Sequence, residues 1–303
     1  MPELPEVETT TRGLRRTVVG LVIKNVWTDL NTKDKRQKDS IANTKYFKIF
    51  QKEILNKKIL SVERRAKNIL INLNNERTIL IHMKMTGHLL FGKFKFIKNK
   101  NKWTAVEKGP LQDPYNRFLH VVFSFSNGKN LAFSDVRKFG KITVLQTKTA
   151  HDSKHLKNIG PEPLEKSFTE KILKKRLDKK PNGKIMTVLM DQSVVAGIGN
   201  IYSDEILWHS SIHPERQVKN LKEKELRLIF KFMKKLLWRG IDLGGDSMSD
   251  YRNIYGKPGK FQLHQEAYKR TGEKCRRKGC KGKILRKIIN GRSAHYCPTH
   301  QVF

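Results

Sequence analysis

The chain has 303 residues, enough for two domains, and 37% of them are hydrophobic, so the sequence predicts a folded protein and not a disordered one. The 63 Lys and Arg residues exceed the 28 Asp and Glu residues by 35, which favours a polyanionic partner such as nucleic acid. A solubility adaptation of a lysine-rich proteome is the alternative. No apolar run reaches the roughly 18 residues of a membrane span, and the acidic start does not resemble a signal peptide, so we expect a cytosolic protein.

The N-terminal half is predicted to be a β-sandwich preceded by one helix. We expect the helix over 6–19, because Pro5 suits a first turn, acidic side chains complement the helix dipole and Gly20 ends it. Short segments of strand-like residues follow, and Ser126-Asn127-Gly128 is typical of a hairpin turn. Such spacing favours packed sheets. The predicted strands are 21–27, 59–64, 69–73, 78–83, 120–124, 131–134 and 141–145.

The C-terminal half is predicted to be mostly helical, which makes the whole chain a multidomain α+β protein. The segment IGPEPL (159–164) carries two prolines and one glycine and indicates a linker. Helices are expected over 168–177, 184–195, 202–209 and 221–238, the last with a capping box from Asn220 and Glu223. The predicted parts are a β-sandwich domain at 1–150, a linker at 151–166, a helical domain at 167–262 and a cysteine-bearing tail at 263–303.

The tail has the spacing of a metal site. Three clustered cysteines do not form a disulfide framework, whereas Cys-x4-Cys-x16-Cys-x2-His suits a closed, structural, tetrahedral zinc site. Between the two pairs, Asn290-Gly291 favours a type I′ hairpin, with Arg292 at its tip. The alternatives are three unligated cysteines, or His264 or His295 in place of the fourth ligand. The four candidate ligands are Cys275, Cys280, Cys297 and His300.

A glycine-rich turn, Ala196-Gly197-Ile198-Gly199-Asn200, separates two predicted helices. Its glycines allow close approach of a ligand to the backbone, and the N–H groups at the start of the following helix favour an anion. The turn therefore indicates a phosphate site, although Asn200 is also a common residue at the start of a helix.

The amino terminus carries groups with a possible chemical use. Removal of Met1 leaves Pro2 with a secondary α-amine, and an α-amine has a pKa near 8, so a useful fraction is neutral at physiological pH. Secondary amines condense with aldehydes to iminium ions, and Glu3 and Glu6 supply carboxyl groups beside the amine. A proline and acidic residues before a helix are also ordinary helix-start residues, so this pattern alone does not decide the function.

Six motifs together resemble formamidopyrimidine-DNA glycosylase. The resemblance extends from one end of the chain to the other in the same order, which makes coincidence implausible. The start MPELPEVE, in contrast to the MPEGPE start typical of endonuclease VIII, favours the branch that acts on oxidised purines. The motifs are MPELPEVETTTRGL at 1–14, RRAKNILI at 64–71, HMKMTG at 82–87, FSDVRKFG at 133–140, VAGIGNIYSDEILW at 195–208 and GRSAHYCPTHQ at 291–301.

The resemblance implies catalytic roles for residues of the first two motifs. Pro2 is then the nucleophile that attacks C1′ of the damaged nucleotide, and Glu3 is the general acid/base for the opened deoxyribose. Lys67 assists the departing base and contacts the flanking phosphate, and Glu6 supports the N-terminal segment. The enzyme implied is a bifunctional glycosylase and abasic-site lyase that removes 8-oxoguanine and formamidopyrimidines by β,δ-elimination.

The other motifs imply contacts with DNA. Met85, Arg137 and Phe139 match the residues that fill the gap left by a flipped base, where an apolar wedge and a planar guanidinium replace lost stacking and pairing. Read without that context, Met85 and Phe139 are typical core residues. Asn200 and Arg292 match phosphate contacts of the helix–two-turn–helix motif and of the zinc finger. We therefore expect a monomer that acts on double-stranded DNA containing oxidised bases or abasic sites, in the cytoplasm at the nucleoid.

Other features depart from the family or need its context. Segment 244–261 resembles the mobile loop that covers extruded 8-oxoguanine, although an ordinary surface loop fits equally well. In the predicted zinc finger, four residues separate the first two cysteines, and His300 takes the place of a fourth cysteine. Zinc accepts both cysteine and histidine as ligands. The lysine-rich segment 94–116 is longer than usual and has no predicted function, and His88 stands where relatives vary.

Two other functions fit parts of the sequence. An endonuclease VIII-type enzyme for oxidised pyrimidines uses the same amine chemistry, so only substrate preference separates it from the first hypothesis. A non-catalytic zinc-bearing protein that senses DNA damage fits the charge, the finger and the phosphate turn. It leaves the joint presence of Pro2, Glu3 and Lys67 unexplained.

Overall fold

The structure is a computed structural model that describes residues 1–34 and 37–303. The chain divides into a first unit of residues 1–157 and 243–260 and a second unit of residues 158–242 and 261–303. The segment Leu243–Lys260 thus belongs to the first unit, whereas the sequence analysis grouped it with the helical domain. Along the described part of the chain, no helix is both long and apolar enough to cross a membrane.

The first unit is a sandwich of two four-stranded antiparallel sheets, as the alternating segments predicted. The strand orders are β1-β8-β9-β5 and β10-β4-β3-β2, and a separate hairpin pairs β6 with β7. Its helices are α1 (Leu4–Thr17) and α2 (Thr44–Ile54). Its strands are β1 (Ile23–Thr28), β2 (Ile59–Arg65), β3 (Asn68–Leu73), β4 (Arg77–His82), β5 (His88–Gly92), β6 (Phe94–Ile97), β7 (Lys102–Ala105), β8 (Leu119–Phe125), β9 (Asn130–Ser134) and β10 (Lys141–Gln146).

The core of this unit lies between the two sheets and beneath α1. Val26 and Phe123 from one sheet and Ile69 and Ile81 from the other are buried in one apolar cluster. The two hairpins that close the sheets, β2–β3 and β8–β9, have the antiparallel register expected from their sequence. The interior is therefore built from the inward-facing residues of alternating strands.

Four elements of the first unit were not predicted. All five residues of β5 (HLLFG) are buried, so this strand shows no alternation of apolar and polar residues. In α2, Tyr46, Phe50 and Ile54 repeat at helical spacing, but aromatic and β-branched residues favour strands. Asn43 starts α2 because its side chain accepts a hydrogen bond from the Tyr46 N–H at 3.0 Å. The β6–β7 hairpin lies in the lysine-rich segment 94–116, for which no structure was predicted.

The second unit consists of helices followed by a two-stranded ribbon. Its elements are α3 (Glu170–Leu177), α4 (Ile185–Leu189), α5 (Asn200–Ser210), α6 (Glu223–Asp242), β11 (Leu285–Ile289) and β12 (Arg292–Tyr296). Helix α5 is buried along most of its length, and Tyr202 stacks on Phe261 with ring centroids 4.8 Å apart. Gly240 of α6 allows this packing, since a Cβ there would lie 2.3 Å from the Tyr202 hydroxyl.

Several helix boundaries differ from the prediction, and the hydrogen bonds of the structure give a reason for two of them. Helix α4 ends at Leu189 because the Asp191 carboxylate accepts a hydrogen bond from the Ser193 N–H at 2.8 Å, which forms a turn. Helix α6 begins at Glu223, and its N-terminus is held by the Lys222 N–H bound to the Glu225 carboxylate at 2.8 Å. The predicted capping box of Asn220 and Glu223 is therefore wrong. Glu223 instead pairs with Lys174 of α3.

Candidate functional site

The N-terminal residues are buried at the start of α1. Pro2 is buried, and Glu3 is the residue that caps the helix. The Glu3 N–H donates to Oε2 of Glu6 at 2.7 Å, so the backbone directly after Pro2 is fixed. Two carboxyl groups therefore accompany Pro2, as the motif MPELPE predicted. Both take part in a capping box, because the Glu3 side chain also accepts from the backbone N–H of Glu6.

Glu6 also binds the loop 243–260, which belongs to the same unit. Its Oε1 accepts a hydrogen bond from the Asp246 N–H at 2.7 Å, and the Tyr251 hydroxyl donates to the Glu6 carbonyl at 3.0 Å. Gly245 has φ of +87°, and a Cβ on it would lie 2.8 Å from Cγ of Glu6. Burial, followed by the nearby charge of Glu3, raises the pKa of Glu6 from 4.5 to about 7.

Lys67 lies in the two-residue turn between β2 and β3. Ala66 has φ of +53°, and Lys67 is only 6% exposed, which is unusual for a lysine at the tip of a hairpin. Arg64 supports the turn, because it donates to the Ala66 carbonyl at 3.2 Å and to the Glu8 carboxylate of α1 at 2.8 Å. Burial and the charges of Lys84 and Lys67 lower the pKa of His82 to about 3, which keeps this histidine neutral. A solvated surface lysine is not what the structure contains.

Met85, Arg137 and Phe139 lie on two loops, 83–87 and 135–140, at one end of the sandwich. Met85 is 39% exposed and Phe139 is 47% exposed, so neither is a core residue. The Arg137 guanidinium carbon lies 4.6 Å from the centroid of the Phe139 ring. The loops therefore present apolar and planar cationic groups to the outside.

Two residues that were not predicted as site residues, Thr86 and Asp135, connect these loops to each other. The Thr86 hydroxyl donates to the buried Asp135 carboxylate, and the Arg137 N–H lies 3.2 Å from the Thr86 hydroxyl. Asp135 also accepts from the Gly140 N–H at 2.7 Å. Their positions beside Met85 and between Phe133 and Arg137 are the only sequence signal that points to them.

In the second unit, Asn200 and the ribbon meet. Asn200 is the first residue of α5, and its side-chain amide donates to the Ser293 carbonyl at 2.8 Å. Arg292 precedes Ser293 at the exposed tip of the hairpin, and Asn290 and Gly291 both have positive φ, as a type I′ turn requires. The structure thus joins Asn200 to the residue after Arg292, 93 positions away in the sequence.

Side chains that the sequence analysis did not single out hold this arrangement. Gln192 fixes the glycine-rich turn, because its amide donates to the Ile198 carbonyl at 2.8 Å and accepts from the Gly197 N–H at 2.9 Å. Glu205 of α5 accepts the N–H groups of residues 266–268, and Asp204 accepts both the backbone and the ring N–H of His295. These two buried acids attach the ribbon and the segment before it to α5.

The four predicted metal ligands form one cluster. Their ligand atoms all lie within 4.8 Å of one another, with Cys280 Sγ 3.6 Å from Cys297 Sγ and Cys275 Sγ 3.4 Å from His300 Nδ1. Ligands about 2.1–2.3 Å from a tetrahedral ion lie about 3.4–3.8 Å apart, so the set fits one metal ion. The other ring nitrogen of His300 lies 3.2 Å from the Trp208 carbonyl and orients the ring.

The raised pKa of Glu6 predicts how the stability of the folded protein depends on pH. Because burial raises this pKa to about 7, the folded protein keeps a proton on Glu6 that the unfolded chain releases above about pH 4.5. We expect the free energy of unfolding to fall as pH rises through this window, by up to about 3 kcal/mol from this group. Glu6→Gln does not titrate and should lose this part of the pH dependence in urea unfolding at about pH 5 and 7.5.

Glu8→Gln is the matched control for this measurement. Burial opposes ionisation of Glu8, but Arg64 and Arg12 outweigh it and lower its pKa. The Glu8 contribution to stability is therefore lost as pH falls, which is the opposite sign. If Glu6→Gln keeps the wild-type pH dependence between pH 5 and 7.5, the protonation inferred for Glu6 is wrong.

Comparison with known proteins gives a consistent result over the whole chain. Residues 1–142 match the family model of the formamidopyrimidine-DNA glycosylase N-terminal domain, and residues 159–252 match the model of the formamidopyrimidine-DNA glycosylase H2TH domain. The formamidopyrimidine-DNA glycosylases of Pelotomaculum thermopropionicum and Herpetosiphon aurantiacus are each 37% identical to this chain. The first alignment covers 99% of both chains, and the second covers 99% of this chain and 100% of the relative.

Solved structures agree with the sequence comparisons. A complex of the Lactococcus lactis enzyme with DNA containing an abasic site has a TM-score of 0.82 and 31% identity, and covers 99% of this chain and 100% of that one. A complex of the wild-type Lactococcus lactis enzyme with DNA containing N7-benzyl-Fapy-dG also has a TM-score of 0.82 and 31% identity, with full coverage of both chains. The chain belongs to the formamidopyrimidine-DNA glycosylase family.

Proposed function

We propose that this protein excises oxidised purines, such as 8-oxoguanine and formamidopyrimidines, from duplex DNA and then cleaves the abasic site with the amine of Pro2. The observation that carries this proposal is the place of Pro2, buried directly before α1 beside the carboxyl groups of Glu3 and Glu6. The lesion-containing DNA in the Lactococcus lactis complexes supports the substrate class.

The chemistry begins when removal of Met1 leaves Pro2 with a free secondary amine. Its nitrogen attacks C1′ of the damaged nucleotide, and the bond from C1′ to the base breaks, so that its electron pair leaves with the base. The proton that the Pro2 nitrogen loses in this step is taken up by the departing base. Glu3 protonates the ring oxygen of the sugar as the ring opens, and the product is an iminium ion between the Pro2 nitrogen and C1′.

Strand cleavage follows from the iminium ion. Because the positive nitrogen acidifies C2′, loss of a proton there expels the 3′ phosphate, and a second elimination expels the 5′ phosphate. Water then hydrolyses the iminium and returns the free amine. In this scheme Lys67 assists the departing base and contacts a flanking phosphate, and its burial among the strands supports a fixed position for its ammonium group.

Glu6 acts on this reaction only through other residues. Its two oxygens bind the N–H groups of Glu3 and Asp246, which supports a role in fixing the amine and not in proton transfer. We assign proton transfer to the sugar to Glu3, whose carboxyl group caps the helix beside Pro2.

The outward loops and the second unit supply the proposed DNA contacts. Met85, Arg137 and Phe139 fill the gap left by the extruded base, and their exposure supports this role. Asn200 and Arg292 contact the phosphate backbone, for which the start of a helix and an exposed guanidinium are suited.

The domain roles follow from these contacts. We assign catalysis to 1–150, a linker to 151–166, DNA binding by a helix–two-turn–helix motif to 167–262, and a zinc finger to 263–303. The loop 243–260 covers the extruded base and works with the catalytic domain, because it packs in the first unit. A monomer that acts on double-stranded DNA at the nucleoid in the cytoplasm fits the charge of +35.

Borohydride trapping tests the proposed function most directly. We expect a covalent adduct between the protein and a duplex that contains 8-oxoguanine, because borohydride reduces the iminium to a stable amine. The matched control is the same chain with an uncleaved N-terminal extension, which blocks the amine and should give no adduct until a protease exposes Pro2.

Other outcomes of trapping select other functions. Adducts with oxidised pyrimidines alone would indicate an endonuclease VIII-type enzyme. If the protein binds lesion DNA and contains its metal but forms no adduct with any lesion, it is a non-catalytic damage-binding protein.

We propose that the metal ion is a single zinc held by Cys275, Cys280, Cys297 and His300. When bound, it cross-links the tail and performs no step of the reaction, because four protein ligands leave no open position. Elemental analysis should find one zinc per chain, His300→Cys should keep it, and His300→Ala should lower it. His264→Ala is the matched control, because His264 instead bonds to Arg239 at 2.9 Å and should leave the zinc content unchanged.

Arg292→Ala should weaken binding to undamaged duplex DNA and reduce the slope of log affinity against log salt by about one. Lys287→Ala is the matched control, because it removes the same charge from the same ribbon but from a lysine already paired with Glu215. An unchanged affinity and salt slope for Arg292→Ala would remove this residue from the phosphate contacts.

A further inference from the structure

The long segment between β5 and β8 contacts the loop 243–260. After the β6–β7 hairpin, this segment forms two short 3-10 turns, Pro110–Gln112 and Pro114–Arg117. Asp113, between these turns, binds Arg252 of the loop, with Oδ2 3.2 Å from Nε. The guanidinium carbon of Arg252 also lies 4.4 Å from the ring centroid of Tyr115. Arg252 is 6% exposed, and a buried charge of this kind needs its partner.

Asn116 makes a second connection to the loop. Its side-chain amide donates to the Pro110 carbonyl at 2.8 Å and to the Gly256 carbonyl at 3.3 Å. Its oxygen lies 2.9 Å from Nε2 of His88, whose ring is fully buried, so the amide has one orientation. Gly256 has φ of +80°, and a Cβ on it would lie 2.5 Å from the Pro110 oxygen. Turn and loop are therefore in direct backbone contact.

A third connection anchors the loop in the core of the sandwich. The Phe91 N–H donates to the Ile254 carbonyl at 2.7 Å, and the Ile254 side chain belongs to the buried cluster between the sheets. Gly13 of α1 makes room for it, since a Cβ there would lie 2.7 Å from Ile254. In contrast, Met248 and Ser249 are exposed. The loop is thus held over residues 251–256 and open to solvent around residue 248.

We propose that Asp113, Asn116 and His88 are positioning residues for base excision. They hold the segment 251–256 in place before DNA binds, so that only the exposed part around Met248 and Ser249 has to rearrange over an extruded base. Ordering a loop in advance lowers the entropy cost of covering a ligand. This inference rests on the proposed function and gives the long segment 94–116 a purpose within it.

The proposal separates two reactions of the same enzyme. Excision of a base needs the covered base, whereas cleavage of a preformed abasic site has no base to cover. A defect in the anchor should therefore slow the first reaction and leave the second unchanged. A general loss of structure would slow both.

The experiment compares Asp113→Ala with Asp29→Ala. Asp29 pairs with His120 in the same unit, its side chain is 27% exposed against 24% for Asp113, and both variants remove one negative charge. In single-turnover assays, Asp113→Ala should excise 8-oxoguanine about tenfold more slowly, the loss expected for one charge-assisted hydrogen bond, and cleave abasic duplex at the wild-type rate. Asp29→Ala should change neither rate.

A conservative variant and a second readout complete the test. Asp113→Asn keeps only one of the two oxygens that accept from Arg252 and from the Tyr115 N–H, so it should restore part of the excision rate. Amide hydrogen exchange over residues 251–256 should be faster in Asp113→Ala than in the wild type and unchanged in Asp29→Ala.

Three results would overturn the proposal: equal slowing of excision and abasic cleavage, no change in either, or unchanged exchange over 251–256. Failure of the wild-type protein to excise any lesion would instead contradict the proposed function, and the exchange measurement would still report whether Asp113 anchors the loop.

Discussion

The site depends on one buried carboxylate. Glu6 accepts the Glu3 N–H with one oxygen and the Asp246 N–H with the other, so one side chain joins the start of α1 to the loop 243–260. Burial makes the ionised form costly, and the pKa near 7 records that cost. The position of Pro2 and the position of the loop follow from the same pair of hydrogen bonds.

Buried acidic side chains also hold backbone segments in place elsewhere in the molecule. Asp135 holds the loop that carries Arg137, Asp204 holds His295, and Glu205 gathers the N–H groups of the segment before the ribbon. All three acids are buried. In a chain with 28 acidic residues against 63 basic ones, using acids inside to fix loops leaves the surface strongly positive. The placement of acidic residues in the interior thus both fixes the positions of the loops and leaves a surface that attracts a polyanion.

Sequence patterns predicted the features that depend on local order. The seven predicted strands, the type I′ turn of the ribbon and the cluster of four candidate metal ligands are present, because alternation, Asn-Gly and ligand spacing are properties of short segments. Strand β5 was not predicted, because a strand that is buried on both faces has no alternation of apolar and polar residues. The roles of Thr86, Asp135 and Gln192 were not predicted for a different reason. The sequence does not distinguish one polar loop residue from another, because their hydrogen-bond partners are set by the fold. The same holds for Arg252 and Asp113, which meet only through the fold and lie 139 positions apart.

The hydrogen bond between Asn200 and Ser293 has a consequence for how damage to the ribbon would affect DNA binding. The side-chain amide of Asn200, at the start of α5, is hydrogen-bonded to Ser293 of β12. The positions of the two proposed phosphate-binding residues, Asn200 and Arg292, therefore depend on each other. Damage to the ribbon, for example by oxidation of the cysteines that flank it, would then weaken both proposed contacts with the sugar–phosphate backbone together. In the proposed function, recognition of the base depends on residues of the other unit. Such damage would therefore produce an enzyme that holds DNA poorly but remains as selective as before.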